Sequence, residues 1–188
     1  RDLYIDALDG IQAQGLDCNA SVKLSDLGLR FDEQLCHDAI DSIVDAAAQR
    51  GNFVRIDMED SSVTSVTLDI YRRLRERRRN VGTVIQSCLR RSADDVQRLL
   101  DDGIAHIRLC KGIYIEPDDI AWTRPDDISR AYRELLEQLL EGGAEKVAIA
   151  THDPLLVEHA VATIVLLGFD RSRYEFQMLL GVAGTMRA

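Results

Sequence analysis

The chain lacks most of the short signatures by which binding sites reveal themselves. Its cysteines, Cys18, Cys36, Cys88 and Cys110, lie far apart with no Cys-x-x-Cys pair. That spacing excludes the usual zinc sites, and it fits a reducing compartment better than a disulfide framework. No Gly-x-Gly-x-x-Gly follows a strand pattern, which excludes a dinucleotide-binding Rossmann unit, and there is no Walker A loop. No His-Glu-x-x-His or His/carboxylate cluster surrounds any histidine, so no metal is expected. Secretory signal and bilayer-length apolar run are both missing. Positive charge is scarce: 23 Lys and Arg face 32 Asp and Glu, a net charge of -9 over 188 residues. That balance argues against a general nucleic-acid or anionic-membrane binder. One run opposes it, Arg72, Arg73, Arg75, Arg77, Arg78 and Arg79. It reads as the solvated last turns of a helix, where cations complement the dipole.

What is present is an alternation of strand and helix patterns. Strands are predicted at 20–25, 53–59, 81–87, 106–113, 147–151 and 174–180, mostly β-branched or apolar, as in strands covered on both faces. A helix is predicted from Asp32 to Arg50, stopping at Gly51. A second places Val63, Val66, Ile70 and Leu74 on one face. A third starts at Ser92, read as its N-cap. A fourth follows Pro125 and ends near Gly142, and a fifth starts at Pro154 and stops at Gly168. Regular βα alternation implies a parallel sheet.

Strand after strand ends in polar residues: Lys23-Leu24-Ser25, Asp57-Met58-Glu59, Gln86-Ser87, Arg108 to Tyr114, Thr151-His152-Asp153 and Gln177. Buried charge is costly unless paired or bound, so such endings in series point to one polar site. An open sheet would concentrate its site at one switch point, whereas a (β/α)8 barrel draws on many strand ends. The expected fold is therefore α/β, a TIM-type barrel over residues 1–188, short of its full strand number by about two. Because the chain starts at Arg1 rather than Met, it is expected to be a piece of a longer protein.

The ordered segments Ser21-Val22-Lys23-Leu24-Ser25, Ile56-Asp57-Met58-Glu59, Val84-Ile85-Gln86, Arg108-Leu109-Cys110-Lys111-Gly112-Ile113-Tyr114, Ala150-Thr151-His152-Asp153 and Glu175-Phe176-Gln177-Met178-Leu179 resemble those of the proline dehydrogenase family. The resemblance implies FAD as cofactor, L-proline as substrate and Δ1-pyrroline-5-carboxylate as product, formed by hydride transfer to flavin N5. It implies that electrons leave to a quinone or another acceptor, and that the protein is cytoplasmic and peripheral to the membrane. Arg108 matches an arginine lying against the flavin near N5. Lys23 matches a lysine near the substrate carboxylate, and Asp57 an aspartate that orients a substrate-binding arginine. Met58, Gln86, Leu109, Cys110, Thr151 and His152 match cofactor contacts; the last two precede a helix start, which favours phosphate. Tyr114 matches a tyrosine bordering the proline ring, and Leu179 a wall of the substrate site, with Glu175 and Gln177 on the strand behind it.

Some positions depart from the pattern. Ile113 stands where alanine is usual, Ser87-Cys88 where alanine-tyrosine is commoner, and Leu180 where a tyrosine or histidine is found. The family's first strand, and the last helix with its arginine pair for the proline carboxylate, are expected to lie outside this chain. Two other readings compete. Lys111, a strand-end lysine, suits the Schiff base of a class I aldolase-type lyase. A barrel fragment without activity, its open edges paired with another chain, is the third.

Overall fold

The computed structural model describes residues 1–182. The chain divides into two compact units, Arg1–Val84 and Ile85–Ala188. In the first unit α1 (Asp2–Ala13) precedes β1 (Ala20–Lys23), α2 (Glu33–Gln49), β2 (Val54–Asp57), α3 (Ser61–Arg75) and the start of β3 (Val81–Gln86). In the second, the end of β3 leads to α4 (Ser92–Asp101), β4 (His106–Cys110), α5 (Pro125–Glu141), β5 (Lys146–Ala150), α6 (Pro154–Leu167) and β6 (Tyr174–Gln177). Strands are parallel and follow chain order within each unit. Helix α1 was not anticipated from sequence; it buries Leu8 and little else.

Every observed strand stops short of its expected end, because the polar residues after it belong to turns. After β1 the chain enters a 3-10 turn, Leu24–Leu27, closed by Gly28. After β4 it turns at Gly112, whose φ of 100° no extended strand adopts.

In the first unit, β1 and β2 pair with Val22 opposite Ile56 and Lys23 opposite Asp57. Val22 and Ile56 are fully buried. Side chains alternate along a strand, so Lys23 and Asp57 share the other face with Ser21 and Arg55. Arg55 is buried; it donates from Nη1 to the Thr83 carbonyl at 3.0 Å and lies over the Phe53 ring. Helix α2 starts as expected, with the Asp32 carboxylate accepting the Leu35 N–H. On α3 the buried stripe is Val63, Thr64, Thr67, Leu68, Ile70, Tyr71 and Leu74, with Val66 only at its margin.

The basic run is not a solvated helix end. Arg75 is buried and donates to the carbonyls of Arg79 and Val81, both at 3.2 Å. Arg78 reaches Asp41 at 3.3 Å and Asp45 at 2.7 Å on α2, and Arg73 reaches Glu33 at 3.5 Å. The acidic face of α2 recruits these arginines, so they join two helices.

In the second unit, α4 and α5 bury Val96, Leu99, Tyr132, Leu135, Leu136 and Leu139. Ser92 is not the N-cap of α4. Arg91 occupies that position, and the Ser92 hydroxyl donates to the Gln86 carbonyl at 2.6 Å, tying the helix to the end of β3. The segment between β4 and α5 folds back on the one after β3. Leu89 bridges Ala121, the Trp122 N–H donates to the Cys88 carbonyl at 2.7 Å, and Arg90 and Arg130 flank the Trp122 ring.

The role found for Arg75 is testable. Arg75→Met keeps the stem but removes its bonds to two carbonyls. It should destabilise the chain by about 1.5–3 kcal/mol, the usual worth of hydrogen bonds to a charged group. Urea denaturation checks it, as a lower midpoint at unchanged slope; Arg77→Met, at an exposed position, should leave the midpoint where it was.

Candidate functional site

Two groups of polar strand-end residues stand out, one in each unit. In the first, in-register pairing brings Lys23 and Asp57 together, Nζ to Oδ2 at 3.4 Å. The Lys23 side chain is 49% exposed and Asp57 20%, so the lysine retains the open side of the pair. Met58, next in the chain, is buried. Glu59, to which sequence reasoning gave no role of its own, clamps the turn after β1. It accepts the Ser25 N–H at Oε1 (2.9 Å) and the Ser25 hydroxyl at Oε2 (2.5 Å), while being 7% exposed. The signal was available: Ser25 and Glu59 each follow the Lys23–Asp57 level by two residues, so an in-register pair places them opposite each other.

In the second unit, the alternation along β4 buries Ile107 and Leu109 completely and leaves His106, Arg108 and Cys110 half-buried on the other face. Arg108 donates from Nε to Gln177 Oε1 on β6 at 2.6 Å. Leu109 points to the helix side, where the Tyr132 hydroxyl donates to its carbonyl at 3.1 Å. Its side chain therefore faces away from Arg108. Cys110 is half-buried, unlike Cys88, which packs with Leu89 and Ala121 and whose thiol pKa burial pushes up.

Gln86 is buried at the end of β3, beside β4. The Ser87 N–H donates to the Cys110 carbonyl at 2.8 Å. Gly112 is required here: a Cβ would stand 2.4 Å from Cys88 Sγ and 3.1 Å from Gln86 Oε1. Tyr114 follows half-buried on the outgoing segment, with Ile113 exposed next to it.

At the end of β5, the Thr151 hydroxyl accepts the Asp153 N–H at 3.1 Å. His152 Nε2 accepts the Leu179 N–H at 2.8 Å, which puts the ring proton on Nδ1. The side chain of Leu179 stays exposed. At the start of α6, where a phosphate contact is expected beside Thr151 and His152, Asp153 caps the helix, accepting the Leu155 N–H at 3.1 Å, and pairs with Lys111 Nζ at 2.8 Å. The Lys111 ammonium holds the Asp153 carboxyl below its ordinary pKa of 3.8. Thr151 and His152 are thus placed to brace the turn and the segment after β6. Among the described residues, no cluster of His, Cys, Asp and Glu could hold a metal ion. No helix among them is long and apolar enough to cross a membrane.

Comparison with known proteins gives a consistent likeness. A sequence model described as proline dehydrogenase matches residues 2–188. Proline dehydrogenase 2 of Bacillus subtilis is 33% identical over 179 residues, covering 95% of this chain and 58% of the relative. Proline dehydrogenase of Deinococcus radiodurans is 34% identical over 186 residues, covering 96% of this chain and 59% of the relative. The chain therefore spans little more than half the length of these relatives. Among solved structures, proline utilization A (PutA) from Bdellovibrio bacteriovorus aligns with TM-score 0.84 and 23% identity, over 96% of this chain and 24% of that one. A PutA mutant from Bradyrhizobium japonicum aligns with TM-score 0.81 and 20% identity, over 99% of this chain and 22% of that one. The fold is accordingly the TIM-type α/β fold of those neighbours. The described residues supply six of its parallel strands.

The donors of the second unit suit a flavin. Arg108 supplies a cation and Gln86 an amide at the ends of neighbouring strands, and a flat ring that becomes anionic on reduction calls for both.

The Lys111–Asp153 pair predicts a pH dependence. Asp153 has a lowered folded-state pKa, so its charged pair stabilises above pH 3.8 and fades as pH falls through the lower folded value. Asp153→Asn retains a capping side chain and removes only the charge. The variant should be less stable than the parent at pH 7, with the difference closing below pH 4. Thermal melts across that range would read it; a difference independent of pH would contradict the linkage.

Proposed function

The chain belongs to the proline dehydrogenase family, and from that premise we propose that it carries the flavin-facing strand ends of an enzyme oxidising L-proline to Δ1-pyrroline-5-carboxylate. The observation that carries this reading is Arg108, a half-buried cation on the polar face of β4, fixed at Nε by Gln177. FAD would supply the hydride acceptor, as cofactors carry such chemistry while the protein positions and polarises. Arg108 then stabilises negative charge that develops as the ring is reduced. Gln86 meets the ring edge through its amide and Cys110 fills space against it; Met58, in the first unit, keeps the cofactor contact that the family resemblance implies. Leu109 contributes through its backbone, since its side chain faces the helices. Thr151 and His152 brace the turns on which the cofactor rests.

For the substrate, Lys23 attracts the proline carboxylate as a point charge. Asp57 holds Lys23 in place and is available to orient a further cation. In the second unit, Tyr114 and Leu179 keep the role beside the proline ring that the family resemblance implies. The electron acceptor is a quinone or another oxidant at the membrane, met by a protein peripheral to it.

Lys111 argues against the lyase reading. A Schiff-base lysine must present a free amine to its substrate, whereas Lys111 Nζ is tied to the Asp153 carboxylate at 2.8 Å. Borohydride in the presence of carbonyl substrates should leave Lys111 unmodified.

The decisive test is flavin loading followed by reduction with proline. The protein should bind FAD and bleach at the flavin absorption on adding L-proline. Arg108→Met should lower turnover by ~10²–10³, the usual cost of one preorganised electrostatic donor, at little cost in stability. Protein that stays colourless in excess FAD would overturn the reading, and unchanged turnover would reduce Arg108 to a structural residue.

A further inference from the structure

The Lys23 ammonium is only loosely tied by its own side chain. Its contact with Asp57 Oδ2 is 3.4 Å long, and the lysine is 49% exposed; exposed pairs of this kind hold little. The lysine stem is long and flexible, so where the ammonium stands depends on the main chain that carries it. Lys23 is the last residue of β1. The ladder with β2 holds the chain before it, and the 3-10 turn Leu24–Leu27 follows.

Two other elements hold that turn. From the segment after β2, Glu59 accepts the Ser25 N–H at Oε1 (2.9 Å) and the Ser25 hydroxyl at Oε2 (2.5 Å). Ser25 lies two residues beyond Lys23 and Glu59 two beyond Asp57, so this clamp repeats the register of the ion pair. The Ser25 N–H belongs to the first positions of the turn, where the turn itself offers no acceptor. Glu59 supplies one from the neighbouring strand end. From α1, the Tyr4 hydroxyl donates to Asp26 Oδ2 at 2.9 Å. Burial and the Asp26 bond raise the Tyr4 pKa above its ordinary 10, so the hydroxyl keeps its proton and remains a donor.

Glu59 is 7% exposed. Burying a carboxylate costs more than burying an apolar side chain of similar size, so stability alone gives no reason for it. What a carboxylate adds is direction, because two oxygens on one group fix distance and angle together.

We propose that Glu59 is a positioning residue which acts through Ser25, with Tyr4 as a second tie, to fix the turn after β1 and so set where the Lys23 ammonium stands. The role of Lys23 toward a substrate carboxylate rests on the function proposed above; the hold on the turn does not.

The hold is read in flavin-free protein by NMR, from hydrogen exchange at the Ser25 N–H and the backbone order parameter at Lys23. Glu59→Ala should speed the exchange about tenfold, the low end for a hydrogen bond to a charged group. It should also lower the order parameter at Lys23 from the rigid value of about 0.85. Glu59→Gln keeps an oxygen for the N–H and an amide for the hydroxyl, so it should stay close to the parent in both. Tyr4→Phe and Ser25→Ala each remove one hydroxyl and should lower the order at Lys23 by less than Glu59→Ala. Denaturation midpoints show which variants are folded. Unchanged order at Lys23 in folded Glu59→Ala, or in Ser25→Ala should the first not fold, overturns the proposal: buried Leu24 and Leu27 would then hold the turn unaided. An effect of Glu59→Gln as large as that of Glu59→Ala overturns it too, since charge rather than the two bonds would be what counts.

With FAD and L-proline, a double-mutant cycle asks whether Glu59 acts through Lys23. Glu59→Ala should raise KM about tenfold and leave kcat unchanged. In a Lys23→Met background it should add nothing, and additive effects overturn the proposal. If Lys23→Met leaves KM for proline unchanged while Glu59→Ala still loosens Lys23, the hold on the turn stands and the carboxylate reading of Lys23 fails.

Discussion

Backbone hydrogen bonds between parallel strands hold Arg108, Ala148 and Glu175 in one row. Most of what the second unit does with its polar residues depends on that register. Side chains on a strand alternate between faces, so a slip by one residue would send Arg108 to the helix side and Leu109 to the polar side. The register is secured by the apolar face: Ile107, Val147 and Ile149 are fully buried against the helices. Hydrophobic burial chooses which face is which, and the polar face inherits its geometry from that choice. The same holds in the first unit, where buried Val22 and Ile56 bring Lys23 level with Asp57.

The turns at the strand ends are fixed by side chains rather than left to the backbone. Glu59 takes both donors of Ser25, Ser92 ties α4 to β3, Asp153 caps α6 while pairing with Lys111, and His152 receives the backbone of Leu179. Each satisfies polar groups that would otherwise lose their water on folding. The candidate site residues sit on or beside these turns, so their placement follows from local locks as well as from the sheet. Gly112 contributes a close passage over Cys88 and Gln86 that a side chain would obstruct.

The elements were legible because their signals are local. Periodicity marked α2, α5 and α6 to within a residue or two, and apolar runs marked all six strands. Their ends were not legible, since a polar residue after a strand looks alike whether it extends the strand or starts a turn. The arginine run was misread for a related reason. Nothing near residues 72–79 in sequence says that Asp41 and Asp45 lie across from them. Ser92 has the residue type of an N-cap, yet its hydroxyl finds the Gln86 carbonyl instead, a partner that exists only once β3 and α4 are side by side.

The sequence by itself determined the α/β class, the parallel order of the strands, the family and the strand ends at which Lys23, Asp57, Gln86, Arg108, Thr151 and His152 lie. These follow from alternation, capping chemistry and short motifs, all properties of neighbouring residues. Only the tertiary structure decided which groups are partners. Lys23 is paired with Asp57, Lys111 with Asp153 and Lys146 with Glu175, and Leu109 is turned to the helices. Partnership depends on register across strands. That register is set by packing against the helices, which no single segment encodes.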